Sequence, residues 1–141
     1  MNMAIMVVRL AYEPDSDNFE AIVAVNDQTY NLRLADFSEQ ERDSASKLSG
    51  DICSWVHSNL ATIKEFCAAR LLHLKNEVWL QEGEQPLSQQ SFAAAIELNG
   101  MLAFSEGSFE MYFNDNDIFG GHTILVGVTK EYVLDNAQLA G

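Results

Sequence analysis

Basic residues are scarce: eight lysines and arginines stand against 21 aspartates and glutamates in 141 residues, a formal net charge of −13. A field of that sign repels phosphate backbones and anionic lipid surfaces and draws in basic partners. Nucleic-acid and membrane binding are therefore set aside, and a basic protein partner is favoured. Cysteine is nearly absent as well. Cys53 and Cys67 are the two present, and they fall in one helix-like stretch, about 21 Å apart along its axis. If that helix is unbroken they are too distant for a disulfide. Lone thiols suit a reducing compartment, so a cytoplasmic location is expected. No apolar run reaches the roughly 20 residues of a membrane-spanning helix. The glycines form neither a phosphate cradle nor a dinucleotide fingerprint, and no cofactor is expected. Internal repeats, linkers and low-complexity tracts are missing too.

What is present suffices for one core. Hydrophobic residues make up 48% of the chain and aromatics 10%, and a chain of this length buries roughly two thirds of its unfolded surface. The apolar start, Met1 to Leu10, lacks a basic n-region and runs into acidic turn residues, so it reads as a first strand and not as a signal peptide. From Ile5 to Tyr12 nearly every residue is apolar, which predicts a strand with most of both faces covered. Pro14 to Asn18 then supplies turn formers. Phe19, Ala21, Val23 and Val25 alternate with their neighbours, and Tyr30, Leu32 and Leu34 repeat the pattern after Asn26-Asp27, the signature of a hairpin.

Ser38 and Glu41 have the spacing of a capping box and open a helix. Gly50-Asp51 is placed to break or kink it, with Asp51 capping a second segment that runs to about Lys75. At 100° per residue Ile52, Val56, Ile63, Phe66, Cys67 and Leu74 share one stripe, with Trp55 and Leu60 at its margins, so this stretch packs on a sheet. Arg70 lands in mid-stripe, which predicts a buried pairing with an acid. Cys53 and Cys67 read as small core residues, His57 as a surface or boundary residue and Trp79 as a packing cap. A short helix follows, capped by Ser88, with Phe92, Ala95, Ile96 and Leu98 as its apolar face and Gly100 as its end. The last forty residues read as a meander, with strands at Met101–Phe104, Phe109–Phe113, Thr123–Val128 and from about Tyr132 to Ala140.

Polar chemistry is concentrated in one loop of this meander, from Phe113 to Ile124. It holds Asp115, Asp117, Phe119, Gly120, Gly121 and His122, the candidate binding residues. Alternation puts His122 on the face of Ile124, Val126 and Val128. The imidazole is then either structural, bonded to Asp115, Asp117 or a loop carbonyl with Gly120-Gly121 as a bulge, or an acid/base oriented by Asp115 or Asp117. Phe119, among turn residues, is the candidate anchor of a contact. No metal is expected. Asp115, Asp117 and Gly120 match three positions of a calcium loop, but Phe119 and Val126 stand where oxygen ligands are required. Cys53, His57, Cys67 and His73 lack the paired short spacings of a zinc site. Ser105 or Ser108 with His122 and Asp115 makes a hydrolytic triad on paper, with no spacing to support it.

The run from Ala68 to Leu80, the Pro86-Leu87-Ser88 start with Phe92 and Leu98, the Phe113–Ile124 loop and the terminal Ala140-Gly141 resemble an uncharacterised bacterial family of unknown function. Its C-terminal motif is of the type Phe-x-Asp-x-Asp-x-Phe-x-Gly-His-x-Ile. Asp115, Asp117, Phe119, Gly121 and His122 stand at the motif positions. Gly120 departs from it, since a tryptophan or other bulky residue is usual there. The resemblance implies an α+β cytoplasmic domain without known catalytic activity, and analogy with small acidic immunity proteins extends it to a neutralising factor.

Together these readings predict one α+β domain over residues 1–141, with antiparallel strands from both chain ends packed on a long central helix plus a short one. The expected function is non-enzymatic binding of a basic protein partner, the loop forming or supporting the contact. The alternative is a small-ligand site or enzyme using His122 with Asp115 or Asp117. Oligomeric state and sheet order are left open by the sequence.

Overall fold

The computed structural model describes residues 3–140; Met1, Asn2 and Gly141, at the ends of the predicted first strand and of the family-like C-terminus, lie outside them. The chain forms strands β1 (Ile5–Glu13), β2 (Asn18–Val25) and β3 (Gln28–Ala35), a single 3-10 turn (Glu39–Glu41), and helices α1 (Arg42–Glu77) and α2 (Gln89–Ala95). Strands β4 (Glu97–Phe104), β5 (Phe109–Asn114), β6 (Thr123–Val128) and β7 (Leu134–Ala140) complete it. This is the expected α+β arrangement. All seven strands join one sheet in sequence order, antiparallel except at its centre, where β3 and β4 run parallel over Leu32↔Met101 to Ala35↔Phe104. Parallel neighbours need a long crossover, and here it consists of α1 and α2.

Alternation decides which face each strand buries. Phe19, Ala21, Val23 and Val25 of β2 face the helix, with Tyr30, Leu32 and Leu34 of β3 beside them. Phe109, Met111 and Phe113 continue that face in β5, and Ile124, Val126 and Val128 in β6. The sheet curls around α1, so that both of its edges reach the same turns of the helix. A Cβ on Gly50 would lie 3.7 Å from Ile5 Cγ2 of β1, and the Trp55 ring lies 5.3 Å from that of Tyr132, just before β7.

Three expectations are corrected. First, β1 is not covered on both faces: it is an edge strand with a bulge at Val8, and Ile5, Met6 and Val8 are exposed. An apolar run by itself does not distinguish a central strand from an edge. Second, α1 continues through Gly50-Asp51 for 36 residues. Third, Ile96 ends α2, while Leu98 and Gly100 belong to β4, whose bulge at Asn99 sits beside Gly100.

The helix face also differs from a straight stripe. Ala45, Ser49, Ile52 and Val56 are buried early, Cys67, Ala68, Leu71 and Lys75 later. The buried face thus drifts around the axis, as a long helix crossing a twisted sheet requires. Arg70 drops out of it. Its guanidinium lies in the open over the Phe66 ring, 4.8 Å from the centroid, rather than in a buried pair. Cys53 and Cys67 are buried and unbridged, and burial pushes both thiols up to about 12. The turn before α1 is held as predicted at Ser38, whose amide donates to the Glu41 carboxylate at 2.8 Å.

Because α1 is continuous at Gly50 and an added methyl there meets only an ordinary contact, Gly50→Ala is expected to stabilise the protein by about 0.5–1 kcal/mol. Thermal melts check this. A lower melting temperature would mean that the helix needs its glycine.

Candidate functional site

The loop between β5 and β6 is built around one carboxylate. Asp115 is 1% exposed. Its Oδ1 accepts from the Asp117 amide at 3.0 Å, and its Oδ2 accepts from the amides of Phe119 (3.0 Å), Gly121 (3.2 Å) and His122 (3.0 Å). A carboxylate offers about four acceptor sites, so one side chain accepts from four of the loop's backbone amides. The path around it needs left-handed residues, and Asn116, Asp117, Gly120 and Gly121 all have positive φ. Asn and Asp tolerate that region, and glycine enters it freely.

The neighbours lock the loop to α2 and to Trp79, just past the end of α1. The Asn114 side chain accepts from the Asn116 amide at 2.9 Å, and the Asn116 side chain donates to the Ala95 carbonyl at the end of α2. Phe119 is fully buried between the rings of Trp79 and Phe92, each with its centroid 5.9 Å away. The half-buried His122 meets Trp79 edge-on at 5.0 Å, and its Nδ1 shares a hydrogen bond with the Phe119 carbonyl. Trp79 therefore does act as a packing cap over the loop.

Several sequence expectations change here. Phe119 is a core residue, not an exposed anchor, because the turn folds it inward onto two aromatic rings. Gly120 and Gly121 make no bulge; they lie in the loop before β6. Of the three partners expected for a structural imidazole, the loop carbonyl is the one found, that of Phe119, while the carboxylate of Asp115 meets the backbone amide of His122 instead. Asp117, Gly120 and Gly121 remain exposed, with His122 half-buried beside them. An aromatic residue at Gly120 would point toward Trp79, whose ring lies 3.6 Å from a Cβ built there. Among the described residues no group of three His, Cys, Asp or Glu side chains is placed to hold a metal ion.

Sequence reasoning missed the support beneath the loop. Lys75 is 1% exposed. Its Nζ donates to the Trp79 carbonyl at 3.0 Å and to the Glu84 carboxylate at 2.7 Å, and Glu84 also accepts from the Gln81 amide at 2.9 Å. Asn76 adds a two-way clamp to the backbone of Leu87. The drifting helix face hid Lys75, since a straight stripe leaves it outside. The Gln81 amide, and after it Lys75, holds the Glu84 carboxyl below its ordinary range.

A second feature emerges only from the strand order. In a meander, alternate turns fall at the same end of the sheet. The turns β1–β2, β3–α1, β4–β5 and β6–β7 therefore meet at one end, and the Asp115–His122 loop lies at the other. The shared end carries Glu13, Asp15, Asp17, Asp36, Glu39, Glu41, Asp43, Glu106, Glu131 and Asp135 against Arg42 and Lys130. None of these acids forms an ion pair among the described residues. Glu106, Glu110, Glu131 and Asp135 line one 420 Å³ depression around Lys130. The acidic rim and the polar loop, joined in the sequence reading, stand at opposite ends.

Two outcomes follow from these contacts. Asp115→Ala leaves four loop amides without their acceptor and is expected to cost about 3 kcal/mol or more in chemical denaturation, while Asp117→Asn, at an exposed carboxylate, changes little. Equal effects would refute the carboxylate's role. Glu84→Gln is expected to lower the melting temperature at neutral pH more than Glu82→Gln does. A depressed carboxylate contributes stability above its unfolded value of about 4.3 and loses it as pH falls through the folded value, so the gap to wild type closes in acid.

Comparison with known proteins adds a family and nothing finer. A search of curated proteins finds no match, and a search of solved structures finds none either. A family model does match, over residues 6–139, nearly the whole chain. The chain belongs to the bacterial family described as "Uncharacterized protein conserved in bacteria (DUF2262)".

Proposed function

We propose that this protein is a non-enzymatic binding protein that takes a basic protein partner at the acidic end of its sheet. The observation that carries the reading is the convergence of four turns whose carboxylates lack ion-pair partners, four acids sharing one depression large enough to receive a lysine or arginine side chain. Carboxylates grouped in this way raise the encounter rate with a cationic surface and fix its orientation. The Asp115–His122 loop supports the contact from the far end, by fastening β5 and β6 to α2 and to Trp79. Buried, unbridged thiols accord with a reducing compartment, and a cytoplasmic location is part of the proposal. An immunity or neutralising factor that covers a basic toxin is one protein of this kind.

The test is affinity capture from a lysate of the source bacterium. Wild type is compared with a variant carrying Glu106→Gln, Glu131→Gln and Asp135→Asn, at low and high salt. A basic protein held by wild type, released as salt screens charges over about 8–10 Å, and bound about tenfold more weakly by the variant is the expected result. Equal retention by both proteins, or an association rate indifferent to salt, would remove the acidic end from the function.

A further inference from the structure

The face of the sheet turned away from α1 carries a shallow 520 Å³ depression across β1 to β5, lined by Arg9, Glu20, Ile22, Asn31, Arg33, Leu102 and Tyr112 around Gly100. The register explains how these residues meet. Arg9 stands opposite Ile22, Ile22 opposite Asn31, Arg33 beside Leu102, and Gly100 opposite Tyr112. All lie on the open face by alternation.

Two observations mark this place as more than an uncovered surface. The first is Gly100. Glycine inside a strand weakens it, and it is found where a bulge, a sharp bend or a close approach calls for it. The bulge here falls on Asn99, Gly100 has no left-handed backbone, and a Cβ built on it meets nothing within 4 Å. Gly100 adjoins the bulge, but neither a left-handed backbone nor a close neighbour in the protein requires it to be glycine, and its missing side chain keeps the floor open beside Tyr112. The second observation is charge. In a molecule with a net charge of −13, the lining of this depression holds two arginines and one acid. Glu20 is bound to Arg33 at 3.0 Å with both side chains more than half exposed, and Arg9 has no ion pair among the described residues. The lining itself thus carries a net positive charge, and the nearest further acid, Glu110, is engaged by the Tyr112 hydroxyl at its border.

We infer that this depression is a binding site for a small organic anion, a carboxylate or phosphate ester with a flat apolar body. The anionic group meets the guanidinium groups of Arg9 and Arg33, whose planar donors suit both oxyanions. The apolar body lies on Ile22 and Leu102 in the space left by Gly100, along the Tyr112 ring. The volume falls within the range of small-molecule sites, about 300–1,000 Å³. The site goes beyond the proposed protein contact: it has the opposite charge preference and is a separate depression, divided from the acidic one by Glu110, whose carboxylate accepts from the Tyr112 hydroxyl at 3.1 Å.

The test follows amide shifts of the isotope-labelled full chain during titration with 2-naphthoate, 2-naphthyl phosphate and the neutral 2-naphthamide. Saturable shifts at Ile22, Asn31, Leu102 and Tyr112 are expected with at least one anion, at an affinity about tenfold or more above the amide. The preferred anion tells a carboxylate site from a phosphate site. Arg9→Gln is expected to weaken binding about tenfold, and Gly100→Val to abolish it while the melting temperature holds or rises, since valine favours strands. Absence of saturable shifts with either anion, equal binding of the amide, shifts centred elsewhere, or undiminished binding by Gly100→Val would each overturn the inference.

Discussion

The parallel pairing of β3 with β4 is the constraint on which the rest of the molecule depends. Each half of the chain makes an antiparallel three- or four-stranded piece by local turns, and each piece has one apolar face. Setting the two side by side in parallel obliges the chain to cross between them, and the crossing element, α1, then covers that shared face. A 36-residue helix is much longer than any strand. The sheet accommodates it by curling, so that β1 and the Tyr132 turn before β7 approach the same helical turns from two sides.

A helix of this kind has an exposed problem at its far end, where its last carbonyls and the chain's reversal into α2 must be satisfied away from the middle of the sheet. Lys75, Asn76 and Trp79 answer it from the helix side, and the β5–β6 loop answers it from the sheet side. The Asp115 carboxylate organises that loop by collecting amides that face one another around a tight left-handed path. Phe119 and His122 then have little freedom, because the amides of both donate to the same oxygen, Asp115 Oδ2. The polar cluster most conspicuous in the sequence is thus a fastening between two layers, and its residue types follow from the geometry of that fastening.

Surface charge divides the molecule differently from its layers. Carboxylates gather at the end where four turns meet, while one glycine-floored hollow on the outer sheet face is lined by two arginines and one acid. A strongly acidic average therefore conceals a site of opposite preference. Lone surface ion pairs such as Glu20–Arg33 contribute little to stability, so the significance of these charges lies in what they attract.

By itself the sequence determined the local order of this protein: the hairpin of β2 and β3, the opening of α1 at Ser38, the Ser88 cap, the C-terminal meander, and the loop in which Asp115 and its glycines lie. These follow from periodicity and turn chemistry, which act between residues close in the chain. Tertiary structure alone decided the parallel seam, the drift of the helix face that buried Lys75 and released Arg70, the edge position of β1, the inward fold of Phe119, and the gathering of acids at one end. Each of those depends on where the twist of the sheet carries a residue, and on which distant segment arrives beside it, relations that no local pattern encodes.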